Sequence, residues 1–431
     1  MRPIAGVMAA VVSCAVPVLV NAQDAQTAQS EEAEAFDAAA AWDEFEQLLR
    51  AKYAYIERDD IDVEAQFARS RALVPGLEDE DDLRRLLHRT ALTFMDPHLI
   101  VGPFADDDYA IVMTAADVDM RFRNGKAMVI DVRRGSPAFE AGIRPGDELI
   151  EIDGESPDTA ARLPFGGVLP DPSAAQLDYG LTLAANGRRG PPRNMVVAGQ
   201  GEPARAVRLQ STRDYARSLS DRPLVALEFV GADSDVAVLR PLNSLGNNDT
   251  IAAFDRALAQ AIETEPRAVI LDMRETPSGG NTEVARSIIG HFVAEPKPYQ
   301  MHRIPAFERE FTVPRQFVEY VMPREPRFAG RVYVLHGRWT GSMGEGIVIG
   351  MDAATDAVTI GSNMGDLLGG LWNFDLEHSN GRVDLGGETL LHIDGTPRED
   401  YVAQMPIEPA STAADGSDPA ITAALRHLKG Q

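Results

Sequence analysis

Two spacings of apolar residues divide the chain. Through Glu34–Leu49, Val63–Leu73 and Asp81–Phe94, large apolar side chains return every three or four positions, Trp42, Phe45 and Leu49 in the first stretch and Leu83, Leu86, Leu87 and Leu92 in the third. That period predicts three amphipathic helices. From Val118 to about Ser211 the pattern changes to short β-branched runs punctuated by Gly, Pro and Asn, which predicts strands joined by turns. Within it, Met128–Val132 reads as a strand and Ser136-Pro137 open a short helix ending at Gly142. Gly146-Asp147 then turn the chain into a second strand, Glu148–Ile152, closed by Asp153-Gly154.

Beyond Arg222 strands alternate with helices. Val236–Leu239, Ala268–Met273, Val332–Leu335 and Val358–Gly361 read as strands; Asp249–Glu263, Thr282–Val293 and the segment after Ser342 read as helices. Alternation of this kind predicts a layered sheet with crossovers. The fold class expected is therefore mixed α/β, of the α+β multidomain kind. It comprises a helical region over 33–116, a β-rich module over 117–211 and an α/β core over 222–431.

The ends and the charge narrow the function. Met1–Gln23 sets Arg2 ahead of an apolar run and places small residues near Ala22, the pattern of a signal peptide over 1–22 cleaved after Ala22. The one cysteine, Cys14, falls inside it, so the mature chain has neither disulfides nor a thiol nucleophile. Val11–Cys14 also reads as a faint lipobox, against which the apolar residues after Cys14 argue. With 41 basic and 66 acidic residues the formal net charge is −25, which repels nucleic acid and anionic membrane surfaces. No internal run is apolar and long enough to span a bilayer. A periplasmic or secreted protein is expected.

Three stretches carry candidate chemistry. GSPAFEAGIRPGDELIEIDG (135–154) resembles the PDZ module embedded in C-terminal processing peptidases; AVILDMRETPSGGN (268–281) resembles their strand and loop ending in a glycine pair; VYVLHGRWTGSMGEGIVIGMDAATDAVTIGSNMG (332–365) resembles their nucleophile strand, turn and following strand. The three occur in the family's order, and the resemblance runs over nearly all of the chain after the signal peptide. It implies a core similar to the ClpP/crotonase fold and a serine peptidase acting on polypeptides, recognised in part through the PDZ module and its grip on a chain end.

The family has two catalytic designs. In one, a lysine in a Gly-Lys-Gly-like turn activates the serine. Here that turn reads Asn363-Met364-Gly365-Asp366, and the chain's four lysines, Lys52, Lys126, Lys297 and Lys429, all lie elsewhere. The other, tricorn-like design takes a histidine from just before the PDZ module and a glutamate from near the C-terminus. MDPHLIVGP and GTPREDYVAQMPIEP then imply His98 as general base and Glu399 as its orienting acid. The sequence departs from that pattern at Pro97, where the tricorn protease has an auxiliary serine, and in a longer step from Glu399 to Pro406.

A serine hydroxyl needs such a base to attack a carbonyl, and an imidazole titrates in the useful range. Ser342, between Gly341 and Gly344, stands where a sharp strand-to-helix turn would present its Oγ. The N–H of Met343 and one from Gly279-Gly280 are the expected oxyanion donors.

Blander roles compete. Ser342 suits a helix N-cap, His98 a turn after Asp-Pro, Gly279-Gly280 a plain helix-leading turn, Glu399 a solvated charged run and Glu345 a bond within its own helix. His336, six residues before Ser342 on the feeding strand, is expected to face the core or the opposite side of the sheet. No metal or organic cofactor is implied, for no clustered ligand set appears. Two other functions fit the same residues: a peptide- or ligand-binding protein that has kept the fold and lost catalysis, and a hydrolase of small esters.

Overall fold

The computed structural model describes residues 36–109, 115–243, 245–276 and 279–430. The signal-peptide and Cys14 readings fall outside these residues. Asp37–Gln431 form one compact unit.

It opens with three helices, α1 (Ala38–Lys52), α2 (Val63–Arg71) and α3 (Glu80–Leu92). Asp37, Asp62 and Asp79 cap them by accepting main-chain N–H bonds, and the acidic first turn of α3 complements its dipole. Trp42, Phe45, Phe67 and Phe94 bury their rings between these helices. A short strand, β1 (Ile100–Gly102), follows.

The second region is a five-stranded antiparallel sheet in the order β2 (Val118–Arg123), β3 (Lys126–Val132), β4 (Glu148–Ile152), β5 (Arg193–Ala198), β6 (Arg205–Leu209). Three helices accompany it: α4 (Pro137–Glu140), α5 (Pro157–Arg162) and α6 (Ala174–Asn186), the last opened by a capping box between Ser173 and Gln176. α7 (Thr212–Ser220) leads out of it.

The third region holds a six-stranded sheet ordered β16-β13-β12-β9-β8-β7. Its members are β7 (Val225–Val230), β8 (Val236–Pro241), β9 (Ala268–Asp272), β12 (Arg331–His336), β13 (Val358–Gly361) and β16 (Met405–Pro406), parallel throughout except between β7 and β8. Both faces are covered, which is why β9 reads AVILD and is buried at every position. Val269, Leu271, Val332 and Val334 join the core beneath α8 (Asp249–Glu263), α9 (Thr282–Gly290) and α11 (Met343–Ala354). Ile270, Tyr333 and Leu335 pack on the opposite side with α12 (Pro419–Lys429).

A further sheet was not legible in the sequence. β10 (Lys297–Arg303), β11 (Gln316–Val321), β14 (Gly370–Asp375) and β15 (Arg382–Leu391) form an antiparallel array, with α10 (Pro305–Phe311) between β10 and β11, and β1 pairs with β15. Its strands conceal polar residues, Gln300 and His302 among them, so the alternation that marks a half-buried strand is blurred. The β1–β15 pairing places the chain just before it, with His98, beside the core.

Candidate active site

β12 runs through the middle of the parallel sheet with all but its first residue buried, and its end throws the chain into Gly337–Ser342. Thr340 Oγ1 accepts the Gly337 N–H at 3.1 Å and donates to the Met273 carbonyl at 3.1 Å, and the Thr340 carbonyl accepts the Gly365 N–H at 2.8 Å. The turn is thus tied on one side to the end of β9 and on the other to the loop after β13. At its tip Ser342 has φ 54° and ψ −118°, a conformation that costs a non-glycine residue of order 1–3 kcal/mol unless the surroundings impose it.

They do impose it. The Ser342 N–H donates to Glu345 Oε2 at 2.6 Å, and the Ser342 carbonyl accepts from the Gly346 N–H and from Arg398 Nη1, each at 3.2 Å. Glu345 is fully buried at the start of α11 and also accepts the Asp366 N–H at 3.0 Å. Burial pushes its carboxyl up to about 8, opposed by the Arg398 guanidinium 3.4 Å away.

Ser342 Oγ faces the loop after β9. A Cβ on Gly279 would stand 2.3 Å from that Oγ and 3.3 Å from the Met343 nitrogen, so only glycine admits this approach. Gly280 is engaged elsewhere, bridged to Leu245. Of the glycine pair, it is Gly279 that meets Ser342.

His98 is 5% exposed. Its N–H donates to Asp96 Oδ1 at 2.8 Å; that oxygen also accepts the Leu368 N–H at 3.2 Å, and Tyr53 donates to Asp96 Oδ2 at 2.9 Å. The ring Nδ1 lies 3.2 Å from the Leu368 carbonyl. A carbonyl only accepts, so Nδ1 carries the proton and Nε2 keeps its lone pair. Burial, aided by Arg398, lowers the ring's pKa to about 4, so it stays neutral near pH 7.

The turn that carries Ser342, through Thr340 and Glu345, and the His98 ring therefore both border one segment, 363–369. Arg398 joins them: buried to 2% exposure, it donates to the Ser342 carbonyl and to the carbonyls of Leu367 and Gly369, on either side of the one that holds His98. Sequence reasoning passed over Arg398 in favour of its neighbour, and nothing in a charged run marks which member turns inward.

Glu399 is placed differently from a residue that holds the imidazole. Leu368 supplies the bond to Nδ1, while Glu399 lines a cavity of about 560 Å³ whose walls also include Tyr55, Met95, Arg121, Tyr179 and Arg338. Burial raises its carboxyl, and burial followed by the Glu399 charge raises the Tyr55 hydroxyl. Asp366, at the family's lysine position, pairs with Arg338 at 2.6 Å. His336 is fully buried and is held near pKa 4 by desolvation, as a core position demands.

Comparisons with known proteins agree with this architecture. A family model described as PDZ domain matches residues 128–163. The carboxy-terminal processing protease CtpB of Bacillus subtilis (strain 168) is 24% identical over 241 residues, 53% of this chain and 44% of that protein, so the match spans less than half of the relative's length. Among solved structures, mature CPAF complexed with lactacystin covers 91% of this chain and 97% of its own at 14% identity, with a TM-score of 0.60. The photosystem II D1 C-terminal processing protease covers 89% and 98% at 15% identity, with a TM-score of 0.53. The chain thus has the fold of the C-terminal processing proteases. It resembles that serine peptidase family, with a PDZ domain set between its helical region and its α/β core.

Proposed function

We propose that the protein is an exported serine endopeptidase in which Ser342 is the nucleophile and His98 the general base. The observation that carries this reading is the strained Ser342 turn, closed by Gly279 and joined through segment 363–369 and Arg398 to a buried, neutral imidazole. In this reading His98 Nε2 takes the Ser342 Oγ proton as Oγ attacks a peptide carbonyl, and the tetrahedral intermediate expels the amine, which receives that proton. Water activated by the same imidazole then releases the acyl group. The Met343 and Gly279 N–H groups stabilise the oxyanion, and the Leu368 carbonyl fixes the ring tautomer. Glu399 contributes charge from the cavity wall rather than a bond to the ring. The PDZ region takes part in recognition by forming the wall that bears Arg121 and Tyr179.

The test is hydrolysis of casein and of a short acyl ester by wild type and Ser342→Ala. Casein turnover by wild type, reduced at least ~10³-fold in the variant, is expected. Turnover of the ester alone would replace the peptidase reading with an esterase one, and turnover of neither would leave a binding protein.

A further inference from the structure

We infer that the peptide groove of the PDZ module is occupied by the protein's own side chains, so that the peptidase selects internal polypeptide segments and does not read a substrate's terminal carboxylate. The substrate class rests on the function proposed above; the occupied groove does not.

A PDZ module captures a chain end when the peptide adds as a strand to a free sheet edge and its carboxylate settles on neighbouring main-chain N–H groups. β2 is such an edge, paired only with β3 in the sheet order, and α6 lies along its other side. The groups an added strand would use are the N–H and C=O of alternate residues Val118, Met120 and Phe122. Each already has a side-chain partner. Asn186 Oδ1 accepts the Val118 N–H at 3.3 Å, and Asn186 Nδ2 donates to the Val118 carbonyl at 2.8 Å. The Thr182 hydroxyl accepts the Met120 N–H at 3.1 Å and donates to the Met120 carbonyl at 3.0 Å. Asp178 Oδ1 accepts the Phe122 N–H at 2.7 Å, and Arg123 Nη1 donates to the Phe122 carbonyl at 3.1 Å.

Asp178, Thr182 and Asn186 recur at four-residue intervals, one stripe of α6 turned onto the strand. Thr182 and Asn186 are 2% and 0% exposed, so their side chains fill the space between α6 and β2, and the cavity of about 560 Å³ reaches this stripe only at Asp178 and Thr182. The start of β2 is closed as well. The Asp117 N–H donates to Asn186 Oδ1 at 2.9 Å, and the Asp117 carboxylate is fully buried against Arg193, at 2.8 and 2.9 Å. An incoming carboxylate would meet engaged amides and a like charge. The PDZ match, residues 128–163, runs from within β3 through α4 and β4 to α5.

The measurement compares one internally quenched peptide, cleaved by the full-length protein, with a free or an amidated C-terminus. Values of kcat/KM within about twofold are expected, and a loss of ~10-fold or more on amidation overturns the inference. Should neither form be cleaved, the proposed catalysis fails and the groove is judged by itself. Fluorescein-labelled free-acid and amidated tail peptides are then titrated against Ser342→Ala by anisotropy. No carboxylate-dependent binding up to about 1 mM supports the inference, while saturable binding lost on amidation refutes it.

Discussion

A histidine held near pKa 4 behaves differently from one at the ordinary value of about 6.5. In the proposed mechanism His98 stays a competent base far into acid, so the acid limb of kcat/KM is expected near pH 4 to 5. A limb at pH 6.5 or above would show that the ring is not desolvated in the working enzyme. The same shift bears on stability. Because the folded pKa lies below the unfolded one, the neutral ring's contribution is present above about pH 6.5 and is lost as pH falls through 4. The sequence offered this residue as a candidate base through the tricorn-like resemblance, by its place after α3 and before the PDZ module. It did not offer the Leu368 carbonyl, because main-chain acceptors carry no sequence signature. Glu399 shows the reverse: a recognisable residue in the expected segment, whose side chain turns toward the cavity while Arg398 takes the interior position.

At the scale of elements, the site is a junction of loops stapled by two buried side chains, Arg398 and Glu345, 3.4 Å apart. Between them they bind main-chain groups of Ser342, Asp366, Leu367 and Gly369. Removing Arg398 leaves the Ser342, Leu367 and Gly369 carbonyls without its hydrogen bonds in a dry site. Arg398→Ala is therefore expected to cost about 3–5 kcal/mol, read by denaturant unfolding, and to lower kcat by at least ~10²-fold. Arg398→Lys keeps the charge but not the fork that reaches three carbonyls. It should recover much of the stability and little of the kcat; equal recovery of both would assign Arg398 a purely structural role. The parallel strands feeding this junction were legible because burial on both faces gives continuous apolar runs. β10, β11, β14 and β15 were not, because polar residues such as His302, paired with Glu388 at 2.7 Å, stand where apolar ones would signal a strand.

For the whole molecule, charge outweighs local detail in how substrates arrive. A net charge of −25 attracts basic polypeptides over distances comparable to the Debye length, roughly 10 Å at 0.1 M salt. The kcat/KM for a lysine-rich peptide should fall as salt rises from about 0.02 to 0.2 M, and that for a glutamate-rich peptide of the same scissile sequence should rise. Parallel responses would mean that the site's local field, where Arg121 and Arg338 line the cavity, governs encounter instead. Composition gave this expectation without the fold. The change from helical spacing to short strands and then to alternating strands and helices also showed in the hydrophobic periods, whereas the return of the first helices to the core through β1 and β15 depends on a long-range pairing that no local pattern encodes.

The central claim is that an alcohol and an imidazole from opposite ends of the chain act together across one loop. Intact-mass and peptide-mapping mass spectrometry after treatment with a fluorophosphonate tests it most directly. The account predicts a single adduct on Ser342, formed at least ~10²-fold more slowly in a folded His98→Ala variant. An adduct on another residue, or undiminished labelling of Ser342 without His98, would contradict it.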